Sequence, residues 1–370
     1  MSAPLPSAAD GWQGFHLVYH ADRERLLRQA VQPLAAGLLR DGLATRFFVI
    51  RYLLGGPHLR LRVQCDPADA PAVAARVHEA AAAFFAAVPS LDPLPDEEVH
   101  RQNRGVIASD PFADASDDVV WADNSVVVSC PVHFEVDRYG GPDRWARSVD
   151  LFGLSTVGVL QWLETHAGAP EGRRTAERAR LLLRQARGHA ADGKDFAMLV
   201  DFGVRMFGKP LAKLLPVADA AFEQGRTGLV ALVRAELART DRPGMLAEGA
   251  RALAGHLRGM DDEPRRFVGI SHLHMTANRL GMRNPDEVYL CRMLSRAVEV
   301  VRTEHPEEWC AAWEAHAQWM RTPSAGLDEQ LRAALDEFSG RGTLGPPFAR
   351  IATGIHWMEP GFHTPVETIS

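Results

Sequence analysis

Residues 47–63 are FFVIRYLLGGPHLRLRV, and this stretch decides the fold. Both flanks are rich in β-forming residues, and the central Gly55-Gly56-Pro57 is a turn signal, so the stretch predicts a β-hairpin. Because side chains alternate along a strand, the second arm presents His58, Arg60 and Arg62 on one face and apolar side chains on the other. The polar face is either a fixed set of donors for a carboxylate or another anion, or the exposed side of an ordinary amphipathic strand.

The residues around the hairpin predict a small sheet covered by helices. Helical spacing of apolar residues predicts a helix from Asp22 to about Arg40, in which Pro33 is the one dissenting residue. Residues 89–124 are rich in Pro, Asp and Asn and predict a long loop of the kind that is usually functional or mobile. The remaining predicted elements are a strand at 15–19, a helix at 66–88 and a strand at 125–129. The order β-α-β-β-α-β predicts a ferredoxin-like split βαβ start.

From Pro142 onward the apolar spacing is helical. Helices are predicted at 150–164, 173–191, 194–207, 217–239, 243–259, 263–280, 307–321 and 327–338. A further helix starts at Asn284-Pro285-Asp286-Glu287, where Asn284 is expected to cap and Glu287 to return the capping bond. The fold class is therefore α+β, with a mostly helical C-terminal half. We expect a disordered lead-in over residues 1–11, a single domain over 12–325 and a partly irregular extension over 326–370.

Composition excludes several classes of protein. The 370 residues are 46% hydrophobic and 24% charged, which is ordinary for a soluble globular protein. The formal net charge of -6 argues against direct binding of nucleic acid, and no apolar run is long enough to cross a membrane. The N-terminus lacks the features of a secretory signal, and the four cysteines lack CxxC spacing. These features predict a cytoplasmic protein with reduced thiols and no zinc site.

Two clusters in the first half of the chain are candidates for chemistry. The first is the polar arm of the hairpin, together with Arg51 on the other arm. The second is Glu135–Pro142, in which two glycines follow an aromatic residue and allow a sharp turn. Taken alone, this second segment is more simply a turn in which Arg138 pairs with a neighbouring acid.

The third cluster is Ser271–Gly281 near the end of a predicted helix. His274 and Asn278, four residues apart, lie side by side next to the apolar stripe. Histidine titrates near neutrality and can act as a general acid or base, although a histidine on a helix is often structural. No HExxH pattern or acidic residue at ligand spacing accompanies it, so no metal is predicted. The chain also lacks GxSxG, Walker and GxGxxG motifs, and no cofactor is expected.

Taken in order, the three clusters resemble one family, the lantibiotic dehydratase C-terminal domain, also labelled thiopeptide-type bacteriocin biosynthesis protein. The matching segments are FVIRY followed by GPHLRLR, then EVDRYGG, then HMTANRL, and the likeness runs from about Trp12 to about Val301. The resemblance implies an enzyme that eliminates glutamate from glutamylated Ser or Thr of a precursor peptide, leaving dehydroalanine or dehydrobutyrine. It also implies two partners, a precursor peptide with its leader and a separate tRNA-dependent glutamylating enzyme, because this chain is too short to contain the glutamylating domain.

The resemblance assigns roles to the motif residues. His274 is the expected base, with His272 beside it as the other possibility. Arg60 and Arg62 are expected to act in catalysis by holding the carboxylates and offsetting developing charge. The expected substrate-binding residues are His58, Arg51, Arg138, Asn278 and Arg279. Two alternatives stay open, namely a pyridine synthase that joins two dehydroalanines by [4+2] cycloaddition, and a module that binds the leader without catalysis.

Overall fold

The structure, a computed structural model, describes residues 11–91, 93–109, 124–239 and 244–341. The predicted lead-in at residues 1–10 and the extension beyond residue 341 lie outside the described residues. The described chain forms two compact units, one up to Glu164 together with the residues from Leu331, the other from Thr165 to Gln330. The sequence-based division into a single domain over 12–325 stays a prediction, and each unit is described by itself.

The first unit is built on a four-stranded antiparallel sheet. Its strands are β1 (Trp12–Val18), β2 (Arg46–Tyr52), β3 (His58–Gln64) and β4 (Val126–Cys130), in the spatial order β2-β3-β1-β4. The predicted hairpin is confirmed as the β2–β3 pair, which is in register from Arg46 opposite Gln64 to Tyr52 opposite His58. Along the chain a helical segment separates β1 from β2, and two described helices separate β3 from β4, so the α+β class and the ferredoxin-like start are also confirmed.

Helices cover one face of this sheet. The Phe15 ring of β1 contacts His78 on one of these helices, with ring centroids 6.4 Å apart. Around Pro33 the first helix contains a π-helical segment, Leu27–Val31, which accommodates a residue that cannot donate the usual backbone bond. The helices of this unit are α1 (Arg23–Leu26), α2 (Gln32–Arg40), α3 (Ala70–Ala87), α4 (Asp96–Ser109), α5 (Pro142–Thr165) and α14 (Leu327–Arg341). The unit boundaries fall inside the last two helices, so that α5 belongs to this unit up to Glu164 and α14 from Leu331 onward.

The prediction of a loop over residues 89–124 is wrong in part, because α4 occupies Asp96–Ser109. Three acidic residues in its first turn, Asp96 to Glu98, favour a helix start at that point. The helix was missed because its exposed surface is polar and only isolated positions such as Val99 and Asn103 are buried. Residues 110–123 lie outside the described residues.

In the described residues of the second unit, every regular element is a helix, and turns or short loops connect the helices. The long α12 packs against α8 and α9 around an aliphatic core that includes Phe222, Val233 and Leu294. The single helix predicted over 194–207 is two helices, because the backbone leaves helical geometry at Asp201. The helices are α6 (Glu171–His189), α7 (Gly193–Val200), α8 (Phe202–Phe207), α9 (Leu215–Ala238), α10 (Met245–His256), α11 (Asp262–Arg279), α12 (Asn284–Glu304), α13 (Pro306–Arg321) and the first turn of α14. None of the helices in the described ranges is long and apolar enough to span a bilayer.

Candidate active site

The hairpin places its polar side chains on the sheet face opposite the one on which Phe15 meets α3. Strand register sets His16 of β1 opposite Arg60, and Tyr52 of β2 opposite His58. Paired residues of antiparallel strands project to the same side of the sheet, so these side chains form one surface with Arg62. We call His16, Tyr52, His58, Arg60 and Arg62 the basic face. The shared face of His58, Arg60 and Arg62 follows the predicted alternation.

Arg62 is the most enclosed cation of the basic face, with 6% of its surface exposed. Its Nη2 lies 3.4 Å from His16 Nε2, and its Nη1 lies 3.7 Å from Cys130 Sγ and 3.5 Å from the Leu61 carbonyl oxygen. Burial lowers the pKa of the Arg62 guanidinium. Among the residues that the structure describes, no carboxylate pairs with it. A buried guanidinium held by neutral groups is a strong candidate for binding an anion.

The two histidines of the basic face are neutral acceptors. The His58 Nδ1–H donates to the Gly56 carbonyl oxygen at 2.7 Å, which leaves Nε2 to accept from Arg60 Nε at 3.4 Å. Burial lowers the pKa of His58 well below its ordinary value, and burial together with Arg60 and Arg62 lowers the pKa of His16 to about 3. His58 is fully buried, so its position is that of a residue that braces Arg60.

An aromatic ring and two glycine positions complete the geometry of the basic face. The Arg60 guanidinium carbon lies 3.6 Å above the Tyr52 ring, a cation–π contact that fixes the plane of the cation. Gly56 in the hairpin turn has a φ of 108°, which favours glycine. A Cβ on Gly14 of β1 would lie 3.1 Å from Arg62 Nη1 and 2.6 Å from a β4 carbonyl oxygen, so glycine leaves the space that the guanidinium uses.

Arg51 does not join the basic face. It lies opposite Leu59 in the β2–β3 register, so its side chain leaves the sheet on the other side from Arg60. The expectation that it accompanies the cations of the second arm is therefore wrong in geometry, and its role in binding substrate stays a prediction. Adjacent residues of a strand point to opposite faces, and the register of a hairpin decides which of them line up.

Phe134, the residue before the segment Glu135–Pro142, packs on the strands that carry the basic face. Phe134 contacts Trp12 of β1 and Phe48 of β2, with ring centroids 5.7 and 6.4 Å apart. Phe48 lies opposite Arg62 in the strand register, so this aromatic group packs beside the basic face. Arg138 donates to Glu135 Oε2 at 2.7 Å, which confirms the simpler prediction that it pairs with a neighbouring acid. Its role toward a substrate stays a prediction.

In the second unit, His274 of α11 meets a buried carboxylate. Its Nδ1 lies 2.9 Å from Oε2 and 3.1 Å from Oε1 of Glu287, whose side chain is completely buried in α12. Burial raises the pKa of Glu287, while the adjacent His274 acts in the opposite direction. The Phe207 ring packs edge-on against the imidazole at 5.1 Å. With Nδ1–H donated to Glu287, the ring's Nε2 is left with a lone pair, and 13% of the side chain is exposed.

Glu287 was predicted to be a capping residue, and that prediction is wrong. The helix begins one residue earlier than expected, with Arg283 as the N-cap, and Asp286 accepts the returning bond from the Arg283 N–H at 3.0 Å. This shift turns Glu287 inward to His274. The carboxylate is thus a site residue that the sequence reasoning missed.

The other candidates on α11 differ in burial and in contacts. His272 is 1% exposed, and its ring stacks on His189 of α6 with centroids 5.8 Å apart, so it is less suited than His274 to meet a substrate. Arg279 is 1% exposed and Asn278 is half-buried on the same helix. Their roles in binding substrate stay predictions. Within the described ranges, no group of three or more His, Cys, Asp or Glu side chains could hold a metal ion.

Comparisons with known proteins identify the family to which these features belong. The family model described as "Lantibiotic biosynthesis dehydratase C-term" matches residues 12–298, which is most of the chain. This match includes the basic face, the Glu135–Pro142 segment, His274 and Glu287. No curated protein matches the sequence.

Three solved structures share the fold at low sequence identity. The pyridine synthase TbtD from thiomuracin biosynthesis aligns with a TM-score of 0.61 and 16% identity, over 80% of this chain and 100% of TbtD. The tRNA-dependent lantibiotic dehydratase MibB from Microbispora sp. 107891 aligns with a TM-score of 0.50 and 18% identity, over 82% of this chain and 29% of MibB. The protein TsrL aligns with a TM-score of 0.51 and 16% identity, over 85% of this chain and 99% of TsrL.

Proposed function

The chain belongs to the lantibiotic biosynthesis dehydratase C-terminal family, and we propose that it tailors a ribosomally synthesised precursor peptide by eliminating glutamate. The substrate is a peptide whose Ser or Thr hydroxyl already carries a glutamyl ester, added by a separate tRNA-dependent glutamylating enzyme in the cytoplasm. A base removes the α-proton, the electron pair forms the Cα–Cβ double bond, and the Cβ–O bond breaks to release glutamate. The step is neutral in redox terms and yields dehydroalanine or dehydrobutyrine.

The contact between His274 and Glu287 is the observation that supports this proposal most directly. A general base needs a lone pair aimed at the substrate, and an acceptor behind the imidazole fixes which nitrogen has it. Glu287 accepts from Nδ1 at 2.9 Å, so His274 Nε2 takes the α-proton. The same nitrogen then returns the proton to the departing carboxylate or to solvent.

The basic face supplies the second requirement, which is stabilisation of negative charge. Elimination from an ester develops charge at the peptide carbonyl and on the leaving carboxylate. Arg60 and Arg62 are the donors proposed for these charges, and one preorganised donor of this kind is worth about 3–4 kcal/mol of barrier. Arg62 suits this role because its described neighbours are an imidazole, a thiol and a carbonyl group rather than an acid.

The proposal is tested with purified chain and a glutamylated precursor peptide. We expect release of free glutamate and a peptide mass lower by one glutamic acid, with a dehydrated residue at the former ester. His274→Ala should leave the ester intact. If His274→Ala forms product as fast as the wild-type chain, the chain is better described as a module that binds the leader.

The likeness in fold to TbtD, over 80% of this chain and all of TbtD, supports a second candidate, cycloaddition of two dehydroalanines to a six-membered nitrogen heterocycle. The substrates separate the two candidates, because the cyclase requires a peptide that already contains both dehydroalanines. Conversion of such a peptide, with no release of glutamate from a glutamylated one, would favour the second candidate over the first.

A further inference from the structure

We propose that His16 is a positioning residue that fixes the Arg62 guanidinium without neutralising it, so that Arg62 keeps its full charge for a carboxylate of the substrate. This inference rests on the proposed elimination of glutamate, in which Arg62 meets a carboxylate. His16 lies outside the three motifs that the sequence singles out, and the contact that implicates it is made across two strands.

The geometry of the contact is specific. Arg62 Nη2 lies 3.4 Å from His16 Nε2, and both side chains are more than 90% buried. The His16 ring also packs against the His58 ring, with centroids 4.7 Å apart. Gly14, two residues before His16 on β1, has no side chain, and a Cβ there would lie 3.1 Å from Arg62 Nη1. The guanidinium therefore has an imidazole acceptor at Nη2 and a glycine beside Nη1, and both residues belong to β1.

The choice of acceptor decides what the cation can bind. A buried arginine is usually fixed by a carboxylate, which satisfies its N–H groups but also neutralises its charge. A neutral imidazole accepts one hydrogen bond and leaves the charge in place. Because both side chains are buried, the remaining charge attracts an anion more strongly than it would in bulk water. The pair therefore suits a site that must be charged when empty and neutral when a carboxylate is bound.

The neighbouring groups keep His16 neutral. Burial, Arg60 and Arg62 all lower its pKa, to about 3, so the ring accepts from Arg62 throughout the ordinary range of pH. The ring of His58 is also neutral and adds no second positive charge to the cluster. Two cations are thus braced by two uncharged acceptors, since His58 Nε2 accepts from Arg60 Nε at 3.4 Å.

A matched pair of variants tests this role. His16→Gln keeps an uncharged acceptor at a similar reach. His16→Glu has the same shape as that glutamine but adds a negative charge that would neutralise Arg62. We expect KM for the glutamylated peptide to stay within about threefold in H16Q and to rise at least tenfold in H16E, with kcat less affected. Binding of free L-glutamate, measured by calorimetry, should weaken in the same order. If either long side chain prevents folding, His16→Asn and His16→Asp make the same comparison.

His78 provides the control, because its exposed ring on α3 bonds Ser129 on the opposite side of the sheet from His16. The same two changes at His78 should leave KM unchanged. Equal KM values for H16Q and H16E, or tighter binding by H16E, would overturn the inference while the wild-type chain still releases glutamate. If the wild-type chain releases no glutamate at all, the proposed function fails instead, and the calorimetric comparison still decides the role of His16.

Discussion

Glu287→Gln separates the chemistry of the His274–Glu287 pair from its contribution to the fold. The carboxylate accepts from His274 Nδ1 at 2.9 Å and is completely buried. The glutamine has the same shape, so the packing of α12 is retained. However, its amide can donate to Nδ1, which would move the ring proton to Nε2 and remove the lone pair that takes the α-proton.

The size of the effect follows from these two losses. A hydrogen bond to a charged group contributes about 1.5–3 kcal/mol, which corresponds to about 10–150-fold in rate. An amide that imposes the wrong tautomer on a catalytic histidine can cost about 10⁴ in kcat. We therefore expect kcat for glutamate release to fall by about 10² to 10⁴ in E287Q, with KM little changed.

The free energy of unfolding of E287Q should be equal to or higher than that of the wild type. Burial raises the pKa of Glu287, which means that the ionised carboxylate is costly to enclose, and the amide removes that cost. The matched control is Asp286→Asn, the same change one residue earlier, at a carboxylate that accepts from the Arg283 N–H. D286N should keep kcat within about twofold of the wild type. Full activity of E287Q, measured as glutamate released per minute from a glutamylated peptide, would refute this account of the base.

Three further predictions concern stability. Burial lowers the pKa of His189 to about 3, so below pH 6.5 the unfolded chain binds a proton that the folded chain does not. The free energy of unfolding therefore falls as the pH drops from 6.5 to 3, by about 2 kcal/mol at pH 5. Urea unfolding of His189→Phe should show a smaller fall over the same range of pH. Gly14→Ala places a Cβ 2.6 Å from a carbonyl oxygen and should cost about 1–3 kcal/mol in thermal unfolding, whereas Gly105→Ala, which has open space, should cost nothing. Arg184 donates to Glu236 at 2.6 and 2.9 Å, so Glu236→Leu leaves a buried guanidinium without its acid and should lower the free energy of unfolding by about 3–5 kcal/mol. The double variant Arg184→Leu, Glu236→Leu should recover part of this loss.

The sequence predicted the sheet well because its strands are rich in β-forming residues and the hairpin has a clear turn signal. The second hairpin arm alternates strictly, the first arm and the fourth strand are short apolar runs, and the order of the strands along the chain allows few topologies. Helix α4 was missed for the converse reason. Its acidic start and mostly exposed surface resemble the composition of a loop, and the few apolar positions that it buries do not form a stripe.

The sequence predicted the part of the candidate site that lies within single elements, but not the residues that pairing between elements brings to it. His58, Arg60 and Arg62 share a face because they alternate on one strand, whereas the placement of Arg51 depends on a register set by the turn. His16 joins them through pairing with a strand more than forty residues away.

Glu287 had a signal that was available in the sequence. It follows Gly281 by six residues, and His274 precedes the same glycine by seven, so the two residues lie at similar distances from the turn between α11 and α12. A carboxylate at that distance from a candidate base could have been selected before the structure was known. The capping pattern at Asn284 was the competing interpretation, and a shift of one residue in the helix start decided against it.

Glutamate release from a synthetic glutamylated precursor peptide is the most direct measurement of the central claim. With purified chain alone, we predict that free glutamate appears in step with a dehydrated peptide, and that His274→Ala and Arg62→Ala stop both. A glutamyl ester that survives incubation with the wild-type chain, while an active dehydratase cleaves it under the same conditions, would contradict the claim.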